Sequence, residues 1–126
     1  MKICFDNIVY SLQKIGGISI YWGELSKRLI KSNNEISFID NLEFDNLVRA
    51  KLEIDLKKIF KKGIFPIRIE RFLDIPLTQY KEKFIFHSSY NRLTSNKNAI
   101  LITTVHDFTH EYFFKGARRS IHSFQK

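Results

Sequence analysis

The apolar positions change period several times along the chain, and each change predicts an element. Ile3, Phe5, Ile8 and Val9 crowd the start, so KICFDNIVY reads as a strand. A short polar stretch and the pair Gly16-Gly17 follow. Ile18, Tyr21, Trp22, Leu25 and Leu29 then recur at helical spacing, with Glu24, Lys27, Arg28 and Lys31 off that stripe. Asn33-Asn34 supplies a helix stop, because Asn tolerates the left-handed conformation. EISFID reads as a second strand. Strand, glycine loop, helix, strand is a crossover unit of a parallel sheet.

Beyond it, Leu52, Leu56, Ile59 and Phe60 suggest a second helix between Leu42 and Lys62, stopped by Gly63. Pro66 and Pro76 bracket one helix or two short ones. Phe84 to Phe86 forms a short apolar strand that ends in a polar turn, and residues 91–98 are loop by composition. AILITTVHD is the plainest strand, a β-branched run expected to be buried and to stop at His106-Asp107. The tail reads as a loop entering a helix, with Lys115, Arg118, Arg119 and Lys126 positive. No stop signal follows, so the domain, residues 1–126, is expected to be incomplete at its C-terminus.

Composition narrows the class. Hydrophobic residues are 44% and charged residues 27% of the 126, an ordinary globular balance that excludes wholesale disorder. Twelve Phe and five Tyr can fill a sizeable core in so short a chain. The lone Cys4 excludes an internal disulfide and a CxxC metal knuckle. Apolar runs are too short to cross a bilayer, and Asp6 interrupts any signal-peptide core. The expected location is cytoplasmic. A net charge of +8 favours anionic partners. Lys57, Lys58, Lys61 and Lys62, beside Leu56, Ile59 and Phe60, suggest a basic helix that is either a solvated face over a core or a contact with an anionic membrane surface. The Phe and Tyr residues fall at core spacing rather than in a base-stacking pattern, so nucleic acid is not the expected partner.

Three features carry candidate chemistry. Gly16-Gly17 at a helix N-terminus leaves backbone N–H groups free for a phosphate; the alternative is a turn that needs positive φ. No GxGxxG or Walker lysine accompanies it, which excludes dinucleotide and P-loop sites. His106-Asp107 and His87 follow strands, and ligands of parallel sheets bind at strand carboxyl ends. The alternative is a histidine satisfied by a loop. His106 and His110 have the spacing of a HExxH zinc motif, but His106 closes a strand, whereas that motif needs a helix. No metal is expected.

Gly-Gly-Ile-Ser before an amphipathic helix, then FHSSYNRL, then ITTVHDFTHEYF and KGARRSIHSFQK, resemble in order and spacing the N-terminal domain of glycosyltransferase family 4, also called group 1. The resemblance implies an α/β fold: a Rossmann-like parallel sheet flanked by helices, one half of a GT-B architecture. It implies metal-free, retaining transfer of a sugar from a nucleotide-sugar to a glycan or lipid-linked acceptor, as in surface polysaccharide synthesis at the inner membrane face. Gly16 and Gly17 would lie beside the donor phosphates, and His106 would be the catalytic histidine near the donor sugar. His87, Ser89, Tyr90 and Asp107 would face the acceptor. The family's paired glutamates belong to its second domain, so this stretch alone is expected to be inactive. The alternatives are a non-catalytic subunit pairing with a separate donor-binding chain, or a basic nucleic-acid-binding domain.

Overall fold

The computed structural model describes residues 1–41, 45–61 and 66–106. Among these residues five parallel strands form one sheet: β1 (Lys2–Asp6), β2 (Glu35–Asp40), β3 (Ile59–Lys61), β4 (Phe84–Ser88) and β5 (Ala99–Thr103), in the order β3-β2-β1-β4-β5. The order reverses between β1 and β4, as in doubly wound α/β sheets, and the crevice above that reversal is where such sheets bind ligands. Among the described residues three α-helices accompany the sheet: α1 (Val9–Leu12), α2 (Gly17–Ile30) and α3 (Ile67–Glu70).

Alternation along the strands assigns the two faces. Ile3 and Phe5 of β1 and Ile36 and Phe38 of β2 pack with Trp22, Tyr10 and Leu52 under α2. Cys4, Ile39, Phe84 and Phe86 turn to the opposite face, where Leu77, Ile75 and Tyr80 cover them. Trp22 is wholly buried and anchors the helix against Phe5, with ring centroids 4.9 Å apart. Tyr21, expected on the buried stripe, is exposed instead. Ser19, Gly23 and Ser26 take the buried positions, which lets α2 lie close to its neighbours.

Three expectations are corrected. The first strand stops at Asp6, because the Ser89 hydroxyl accepts from Val9 N at 3.0 Å and Tyr10 N bonds back to Asn7 O, which turns Val9–Leu12 into one helical turn. The second expected helix is absent over the described part of residues 42–62. Asn46 Oδ1 accepts from the amides of Val48 and Arg49, and Asp55 Oδ1 from that of Lys57. Each cap starts a single 3₁₀ turn, Arg49–Lys51 and Leu56–Lys58, with extended backbone after it. Leu52 is buried and Leu56 exposed, so they share no helical face. Lys57 and Lys58 therefore sit on a turn and Lys61 ends β3, and the basic amphipathic helix proposed for a membrane surface does not form there.

The third correction concerns β5. Ile100, Leu101 and Ile102 are 53%, 48% and 41% exposed, because β5 lies at the sheet edge and pairs only with β4 among the described residues. Asp107, His110, Lys62, Gly63 and the basic tail lie outside the described residues. Among those described, no helix is long and apolar enough to cross a membrane.

Candidate functional site

Parallel strands bring their carboxyl ends to one rim. Asp6 closes β1, Asp40 closes β2, and Ser88 closes β4 opposite Asp6. The α2 helix runs back from that rim, so its N-terminus lies on it. The last strand stops at Thr103, short of the expected end at His106, and the three residues after it carry His106 to the same rim. The His106 ring meets the Tyr21 ring edge-on, with centroids 5.5 Å apart. Tyr21 is four residues, about one turn, from Gly17. The imidazole and the diglycine therefore share one rim.

Neither glycine serves a positive φ. Gly16 is extended at φ 178°, and Gly17 begins the helix. A Cβ at Gly17 would meet nothing within 4 Å, whereas one at Gly16 would lie 2.5 Å from Gln13 Oε1. The missing side chain at Gly17 thus leaves backbone open to approach. Ser19 steadies the turn: Gly16 N donates to Ser19 Oγ at 3.0 Å, and that hydroxyl donates to Gly16 O at 2.9 Å. The first intrahelical bond is Ile20 N to Gly16 O, so the amides of Gly17, Ile18 and Ser19 have no acceptor within the helix. Asn46 ties the preceding loop down by donating to Gln13 O at 2.7 Å.

His87 is buried behind His106. Its ring packs against Trp22 at 4.8 Å and Phe5 at 5.4 Å, and its Nε2 lies 2.9 Å from Thr104 Oγ1. Burial first, and then the nearby His106, lower its pKa below the usual value and keep the ring neutral. It fastens Thr104, in the segment that leads from β5 to His106. Ser89 is also engaged, as the acceptor for Val9 N, while Tyr90 is partly exposed and its amide donates to Ser88 Oγ at 3.2 Å.

A polar network under the rim joins all three central strands. Trp22 Nε1 donates to Asn7 Oδ1 at 2.8 Å, Asn7 Nδ2 donates to Asp40 Oδ2 at 3.1 Å, and Arg49 Nε pairs with the same oxygen at 2.5 Å. Beside it, Ser88 Oγ donates to Asp6 Oδ2 at 2.8 Å, and Arg92 reaches Asp6 Oδ1 at 3.4 Å and Glu70 Oε1 at 3.9 Å. Burial pushes the Asp6 carboxyl up to about 6, although Arg92 and Ser88 pull the other way. It raises Asp40 as well. Cys4, buried in the sheet, has its thiol pushed up to about 12 and is no nucleophile.

None of Asp6, Asn7, Asp40, Arg49, Glu70 and Arg92 was among the sequence candidates. One signal pointed to the two aspartates: β1 and β2 each end on an Asp that is followed by Asn, Asp6-Asn7 and Asp40-Asn41. An acid that closes an apolar strand sits at the carboxyl rim and requires a partner.

The search of family models, curated proteins and solved structures returned no match to this chain.

Proposed function

We propose that this chain is the acceptor-side part of a retaining glycosyltransferase that moves a sugar from a nucleotide-sugar to a glycan or lipid-linked acceptor. The observation that carries the reading is the contact between His106 and Tyr21, which puts the histidine and the diglycine turn on a common rim. Departure of a nucleoside diphosphate builds negative charge on its oxygens. The amides of Gly17, Ile18 and Ser19 and the positive end of α2 stabilise that charge as it grows. His106 hydrogen-bonds the sugar at the reacting centre. The His87–Thr104 contact holds the segment before His106 in position, and Tyr90 contributes a polar wall on the acceptor side.

Binding is the appropriate readout, because the resembled family keeps its donor-side glutamates in a second domain. Calorimetric titration with UDP-, GDP- and dTDP-linked sugars and with a polyprenyl-linked glycan tests the reading. At least one donor or acceptor binds saturably, and H106A weakens it by about tenfold, equivalent to about 1.4 kcal/mol. Absence of any such binding, together with steeply salt-dependent binding of DNA or RNA, overturns the assignment.

A further inference from the structure

The parallel register that gathers the acids at one rim gathers a different set at the amino ends. Lys2 opens β1 beside Glu35, which opens β2. Lys57 and Lys58 lie on the turn directly before β3, and Gln79 to Glu82 approach β4 from below. Between them is a cleft of about 340 Å³, lined by these residues with Phe60, Tyr80, Ser37 and Ile36. Its volume is at the low end of the range for small-molecule pockets, roughly 300–1,000 Å³.

The lining has two chemical characters. Four lysines, Lys2, Lys57, Lys58 and Lys81, face two glutamates, and one of those glutamates is matched by the 3.2 Å pair Lys2–Glu82. The remainder favours an anion. The other character is aromatic. Phe60 is partly exposed and meets Tyr80 edge-on at 6.2 Å. Tyr80 is stacked on Phe84 at 4.1 Å, and its hydroxyl is hydrogen-bonded to Ser37. The Tyr80 phenol is pushed up by burial, so it stays protonated at neutral pH. Tyr80 is therefore a fixed floor, and Phe60 is a wall set nearly at right angles to it, with interplanar angle 76°.

We propose that this cleft is a second ligand site, for a small molecule that joins one flat ring to an anionic group such as a phosphate monoester. The ring lies in the corner made by Phe60 and Tyr80, and the anion meets Lys57, Lys58 and Lys81. The site is at the opposite end of the strands from His106, so it is independent of the sugar-transfer reading.

The test follows amide resonances during titration with phenyl phosphate, with inorganic phosphate and phenol as separate arms. Phenyl phosphate shifts Ser37, Lys58, Tyr80 and Lys81 saturably, with Kd on the order of 1 mM, and leaves Gly17 and Tyr21 in place. The K57E/K58E variant weakens binding by about tenfold, and K81E, across the cleft, does so independently by about threefold. Any of these results overturns the proposal: no saturable shift up to about 10 mM, equal shifts in the lysine variants, phenol as effective as phenyl phosphate, or inorganic phosphate as effective. Lysine-dependent sedimentation with phosphatidylglycerol vesicles in place of phenyl phosphate binding overturns it in favour of a membrane surface.

Discussion

Trp22 donates its indole N–H to Asn7 Oδ1 at 2.8 Å, joining the middle of α2 to the end of β1. Both residues are almost wholly buried, so no water replaces the bond once it is lost. Trp22→Phe leaves Asn7 Oδ1 without this donor and opens space against Phe5 and His87. The expected loss is about 2–4 kcal/mol. Urea denaturation measures it; a loss within error of zero would mean that the bond does not tie helix to strand.

Gly17 and Gly23 lie on the same helix and give opposite outcomes with alanine. At Gly17 a Cβ enters open space, so G17A keeps or raises stability, by up to about 1 kcal/mol from helix propensity. It weakens ligand binding at the rim, because the added methyl stands over the exposed amides. At Gly23 a Cβ collides with Val48 Cγ1, a branched side chain with little freedom to move. G23A therefore costs about 1–3 kcal/mol. Thermal melts of the two variants, with ligand binding by G17A, separate the roles.

The rim also sets the pH dependence of stability. Burial raises the folded Asp6 carboxyl to about 6, above its ordinary 3.8, so between those values the folded chain holds more protons than the unfolded one. Its contribution is complete below about pH 4 and is lost as the pH rises through about 6. Asp40, raised in the same direction, adds to this slope. His87 acts with the opposite sign: its pKa is lowered, so its contribution is present above 6.5 and lost as the pH falls through the folded value. Denaturation between pH 4 and 7 then shows a flatter fall with rising pH in D6N, by on the order of 2 kcal/mol over the window. H87Q steepens the fall. Identical profiles for wild type and both variants would contradict these environments.

The sequence pattern made most of the sheet legible. EISFID forms β2 over the residues expected, and the helix after the diglycine begins one residue before Ile18. These segments combine strong periodicity with clear punctuation. Where the pattern misled, a polar side chain intervened from elsewhere. Asn46 and Asp55 captured backbone amides and cut one apparent helix into two turns. Ser89, eighty residues away, ended the first strand early. The AILIT run read as buried because β-branched density resembles a central strand, but strand order is a tertiary property that composition does not carry. The diglycine and His106 stood out in the sequence because one precedes a helical stripe and the other ends a β-branched run, and the fold brings the two to one rim. The network of Asp6, Asp40, Arg49 and Arg92 did not stand out, because its partners come from separate segments that only the fold brings together.

The most direct test of the shared rim is a nucleotide-sugar titration followed at two atoms together, the backbone amide of Gly17 and the side-chain nitrogens of His106. Both signals should move along one binding curve with the same Kd, and G17A should weaken the response at His106. Movement of one signal without the other, or of neither while the amino-end cleft responds, would contradict a common donor-facing rim.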